Sequence, residues 1–78
     1  MKKIKVGVLR GGPSNEYDTS MKTGSHVLNI LREMPEKFEP VDIWISKEGD
    51  WHIGGLRRAP HKAMLNLDLV VNALHGQY

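Results

Sequence analysis

Seventy-eight residues, 40% hydrophobic and 26% charged, allow one small globular domain with a thin core, because a chain this short buries only about 60% of the surface it exposes when unfolded. The lack of cysteine excludes a disulfide framework, a thiolate metal site and a thiol nucleophile, and suits a reducing cytoplasm. A formal charge of +2, with Lys2, Lys3 and Lys5 at one end and Arg57-Arg58 far along, leaves no nucleic-acid footprint, and no apolar run nears the roughly 18 residues of a membrane span.

Lys3 to Leu9 reads as a first strand, with Ile4, Val6 and Val8 on one face. Arg10-Gly11-Gly12-Pro13-Ser14 breaks it. A helical period follows, with Met21, Gly24, Val27, Leu28, Leu31 and Met34 recurring at spacings of three and four. Ser14 and Asp18 are the expected N-caps, and Pro35 ends the helix. A second strand spans 40–46, and Lys47-Glu48-Gly49-Asp50 is a turn tetrad. Trp51-His52-Ile53 returns as a short hairpin strand, with Trp44 and Trp51 expected to pack across it. Gly54-Gly55 breaks that strand, and 60–65 forms a brief helix with Pro60 in its first turn. The run 67–74 is nearly all apolar, the pattern of a parallel strand covered on both faces.

The order β-α-β, hairpin, short helix, β predicts an α/β fold, a small, open, mostly parallel, Rossmann-like sheet. A right-handed crossover sets the second strand beside the first. The last strand goes on the first strand's other side, and the hairpin forms the opposite edge. A topological switch point then lies beside strand one, where open α/β sheets bind ligands at the carboxyl ends of their strands. Gly11-Gly12-Pro13-Ser14-Asn15-Glu16 and His75-Gly76 both reach that edge from opposite parts of the chain.

The glycine loop has three readings. It is an anion cradle at a helix start, a tight turn that requires glycine, or a loop that binds a cationic or zwitterionic ligand through Glu16. The first lacks the G-x-G-x-x-G and P-loop spacings, Pro13 removes a donor, and Glu16 is negative. Glu16 and Asp18 also suit the helix dipole as first-turn acids, and His75 suits a strand-end histidine bonded to nearby backbone. His26, His52 and His61 show no ligand spacing, so no metal site is expected.

Three stretches, Val6 to Glu16, Ser20 to Leu31, and Asp68 to Gly76 with its Ala73-Leu74-His75-Gly76 ending, together resemble the amino-terminal part of a D-alanine–D-alanine ligase. The resemblance implies a cytoplasmic enzyme of the ATP-grasp superfamily that makes a dipeptide for peptidoglycan. ATP would phosphorylate the first D-alanine's carboxylate, and the second D-alanine's amine would attack the acyl phosphate, with Mg2+ assisting. Glu16 would carry the catalytic role, holding the first ammonium group and orienting its carboxylate. His75 would line the same pocket, Gly11, Gly12 and Ser14 would shape the loop, and Ser20 would lie close to it as a further substrate-binding residue. Where the family carries a basic residue or histidine and then Glu-Val-Ser, this chain has Tyr17-Asp18-Thr19-Ser20. Where the family's H-G runs on into G-E-D-G, this chain has Gln77-Tyr78.

The resemblance thus implies that residues 1–78 form a single, truncated substrate-side domain. The ATP-grasp domains, and with them the sites for ATP and Mg2+, lie outside it. Such a segment is expected to bind no cofactor and to be inactive alone. A second reading is a self-associating module, a homo-oligomer or strand-exchanged dimer that covers the open last strand. A third is a free-standing nucleotide-binding module.

Overall fold

The computed structural model describes residues 2–74. Strand β1 (Ile4–Gly11) leads into helix α1 (Tyr17–Arg32), strand β2 (Phe38–Ile45), strands β3 (Trp51–Ile53) and β4 (Leu56–Arg57), helix α2 (Pro60–Ala63) and strand β5 (Leu69–Asn72). They form one five-stranded sheet in the order β4-β3-β2-β1-β5. β1 runs parallel to both β2 and β5, while β2–β3 and β3–β4 pair antiparallel. The expected placement of the last strand beside the first, with the hairpin at the far edge, is the one observed.

Alternation along β1 divides the core between the two sheet faces. Val6 and Val8 pack with Leu28 and Leu31 of α1, with Val27, Phe38 and Val71 at the margin. Leu9 packs on the other face with Ile43, Ile45 and Ala63, flanked by Trp51, Ile53, Leu67 and Leu74. Arg10 lies on the α1 face and ties three elements together. Its Nε and Nη2 donate to the Asp42 carboxylate at 2.8 and 2.6 Å, and Nη1 reaches the Met21 carbonyl and Ser25 Oγ of α1. Paired donors of this kind hold a carboxylate in one orientation. The arginine stem passes directly beneath Gly24, where an added Cβ would lie 2.5 Å from Arg10 Cβ. A helical glycine ordinarily costs stability; here its missing side chain lets helix and strand meet.

Several local expectations are corrected. Neither Ser14 nor Asp18 caps α1: the N-cap is Glu16, with no side-chain capping bond. Ser14 Oγ instead accepts from the Glu16 N–H at 3.2 Å, within the turn that precedes the helix. Gly54 and Gly55 end β3 as expected, but with positive φ, 59° and 79°, they also turn the chain into a further short strand, β4, that was not expected. Trp44 and Trp51 do not pack together, because register pairs Trp44 with His52 and Trp51 with Ile45, on opposite faces. Trp44 stacks on His52 with ring centroids 4.5 Å apart. Nor is β5 covered on both faces: Leu69 is 55% and Val70 41% exposed. α1 lies over β1 and β2 and α2 packs against β3, so neither helix extends across β5.

Candidate active site

The carboxyl ends of β1 and β5 meet at the loop Gly11–Glu16. Gly11 adopts φ 92°, and a Cβ there would collide with the Ile45 carbonyl oxygen. Only glycine therefore lets the chain leave β1 this close to β2. The next residue locks the approach, since Gly12 N–H donates to that same carbonyl at 2.8 Å. Beyond it, Gly11, Gly12, Pro13 and Ser14 line a cavity of about 380 Å³ together with Ile45, Gly49, Trp51 and Leu74.

Ser20 joins the two arms of this rim. It is fully buried in the first turns of α1. Its Oγ accepts from Gly11 N–H at 2.9 Å and donates to the Ala73 carbonyl at 2.6 Å. One hydroxyl therefore bonds the start of the glycine loop to the residue after β5. Asn72 Oδ1 then accepts from Leu74 N–H at 2.9 Å and turns the chain at this end. His75, expected at the same rim, lies outside the described residues; its neighbour Leu74 reaches the loop, 3.5 Å from where a Cβ on Gly12 would stand.

Glu16 stands at the amino end of α1, exposed to solvent. Among the described residues no hydrogen bond or ion pair engages its carboxylate. Glu16 is not among the residues that line the cavity; a free carboxylate at the end of the same loop can accept charge-assisted hydrogen bonds from an ammonium group. The loop's N–H groups are differently placed. Gly11 N–H bonds Ser20, Gly12 N–H bonds Ile45, Glu16 N–H bonds Ser14, and Pro13 has none. A phosphate cradle needs several free, converging donors, and in this loop only the Ser14 and Asn15 N–H groups carry no bond among the described residues. Nor do the described residues fit a magnesium site: among them no three His, Cys, Asp or Glu side chains gather.

Sequence reasoning brought the loop and the end of β5 together but missed Ile45, Trp51 and Leu74 as the apolar wall. Strict alternation from Ile43 through the hairpin would have put Ile45 and Trp51 on that face once the register was known. Among the described residues no helix is long and apolar enough to cross a membrane.

Comparison with known proteins agrees with this architecture. No protein-family profile matches the chain. It is 46% identical over 54 residues to a D-alanine–D-alanine ligase of Natranaerobius thermophilus, covering 69% of this chain and 14% of that protein. Identity to a D-alanine–D-alanine ligase of Solibacter usitatus is 32% over 76 residues, covering 97% of this chain and 22% of that protein. Among solved structures, D-alanyl-alanine synthetase A from Vibrio cholerae superposes with a TM-score of 0.73 at 22% identity, covering 95% of this chain and 25% of that one. VanG D-Ala:D-Ser ligase from Enterococcus faecalis gives 0.62 at 28% identity, over 83% of this chain and 18% of that one. The chain thus spans between 14% and 22% of the length of these two curated ligases. With its sheet order, its glycine loop and this run of relatives, the chain belongs to the D-alanine–D-alanine ligase family and corresponds to the amino-terminal segment of those enzymes.

Proposed function

We propose that this segment supplies part of the first D-alanine site of an ATP-dependent ligase of the ATP-grasp type. The product would be the D-alanyl-D-alanine dipeptide of peptidoglycan, made in the cytoplasm. The observation that carries the reading is the Glu16 carboxylate, exposed at the switch-point rim and without an internal partner among the described residues. In this reading Glu16 accepts hydrogen bonds from the ammonium group of the first D-alanine and turns its carboxylate toward the phosphoryl donor. Holding a reactant in this way can supply several kcal/mol toward a barrier. Gly11, Gly12 and Ser14 give the loop its shape, Ser20 fixes that shape to the end of β5, and His75 is the residue that the family resemblance assigns to the same pocket. ATP and Mg2+ would be held by other parts of the longer enzymes.

The test is a ligase whose first 78 residues are this chain, assayed with ATP, Mg2+ and D-alanine. It is expected to form dipeptide with stoichiometric phosphate release, while the 78-residue chain alone releases none. Turnover by the chain alone would overturn its proposed silence, and a folded but inactive chimera would overturn the substrate reading.

A second reading concerns the chain by itself. Leu69 and Val70 project from opposite faces of β5, an edge strand, and both are exposed. Unpaired edge strands with apolar faces are templates for association. The isolated chain is therefore expected to sediment as a homo-oligomer at tens of micromolar, and Val70→Lys to shift it to monomer. A parent chain that stays monomeric across that range would remove this reading.

A further inference from the structure

The contacts of Tyr17 are those of an anchor. α1 starts on Glu16 without a side-chain cap, so the first turn needs another hold. The Tyr17 ring packs on the glycine loop, its Cε2 3.0 Å from where a Cβ on Gly11 would stand. Its hydroxyl accepts from Trp44 Nε1 at 2.7 Å, at the short end for an N–H···O bond. Trp44 is itself pinned by stacking on His52 at 4.5 Å. Lys47 Nζ lies 5.1 Å from the centre of the Tyr17 ring, within cation–π reach. One side chain thus touches the glycine loop, β2 and the turn after β2, while its backbone is the link next to Glu16.

We propose that Tyr17, held by Trp44, is a positioning residue for Glu16. A glutamate side chain on an uncapped helix start can swing widely, and the tyrosine fixes the backbone from which it projects. The inference rests on the ligase reading above and deepens it. Misplacing a binding group by a fraction of its bond length weakens what it holds without touching more distant sites.

The experiment uses the same chimeric ligase and compares Tyr17→Phe, Trp44→Phe, Glu16→Gln and the Tyr17→Phe/Glu16→Gln pair. Tyr17→Phe is expected to raise the KM for the first D-alanine about three- to tenfold, as for a lost hydrogen bond, with the KM for ATP unchanged. Trp44→Phe, which removes the same bond from the other side, should reproduce that split, and it serves if the tyrosine variant fails to fold. In the Glu16→Gln background Tyr17→Phe should bring no further rise, the signature of two groups acting through one contact. A rise in both KM values alike, or a full additional effect on top of Glu16→Gln, overturns the proposal. If Glu16→Gln lowers D-alanine use but neither aromatic variant does, the positioning role alone falls. If Glu16→Gln itself has no effect, the ligase reading of Glu16 falls with it.

Discussion

Glu16→Gln in a full-length ligase carrying this segment is expected to lower kcat/KM for the first D-alanine about ten- to a hundredfold, with the KM for ATP within about twofold of the parent. The size follows from the charge. Glutamine keeps the length and one acceptor oxygen but replaces a charge-assisted bond by a neutral one, and hydrogen bonds to charged groups contribute about 1.5–3 kcal/mol. The selectivity follows from place, since Glu16 is at the rim of a loop whose Gly11 and Gly12 N–H groups already have partners inside the fold. Steady-state kinetics with each substrate varied in turn separates the cases. A loss shared equally between D-alanine and ATP would point to collapse of the loop, and no loss at all would remove Glu16 from the site. The carboxylate has no internal partner among the described residues, so the variant should melt with the parent and report on substrate alone.

Ser20→Ala is the substitution expected to harm the fold most for the fewest atoms removed. It deletes one oxygen and leaves Gly11 N–H and the Ala73 carbonyl without their partner in a buried place. Each unsatisfied buried group costs about 1–3 kcal/mol, so the loss for two is about 2–6 kcal/mol. A chain of 78 residues has a total stability of about 4–12 kcal/mol. At about 4–8 °C per kcal/mol for a domain of this size, the melting temperature should fall by at least about 8 °C. Ser20→Cys, which keeps the volume and a weak donor, should fall between parent and alanine. Thermal denaturation followed by circular dichroism measures both. An alanine variant within about 2 °C of the parent would mean that the bridge between loop and β5 contributes nothing.

The large features of this fold were legible because each rests on a strong local signal. Ile4, Val6 and Val8 alternate, Gly24, Leu28 and Leu31 recur at helical spacing, and Gly11-Gly12-Pro13 cannot continue either pattern. Chain connectivity then left few sheet orders to choose from. What stayed hidden depends on contacts between distant residues. Ser20 reads as an ordinary polar position of α1, and only the approach of Ala73 from β5 makes it a buried bridge. Trp51 reads as a hairpin aromatic, and only its register opposite Ile45 turns it to the cavity wall. Ser14 and Asp18 have the chemistry of N-caps, yet the loop turns once more before the helix begins and Glu16 takes the place. β5 misled in another way. Its apolar run has the composition of a fully enclosed strand, while enclosure depends on helices that here lie elsewhere.

Arg10 and Gly24 share a single parcel of space: the methylene stem of one occupies what would be the side chain of the other. Position 24 cannot take a side chain while the crossing keeps this spacing. A side chain at residue 24 would meet the Arg10 Cβ itself, which any residue but glycine keeps, so shortening residue 10 would give up the clasp that joins Asp42 to α1 without making room. Position 24 should therefore stay glycine whatever stands at position 10, and an invariant glycine in mid-helix would mark this helix-over-strand crossing in aligned sequences.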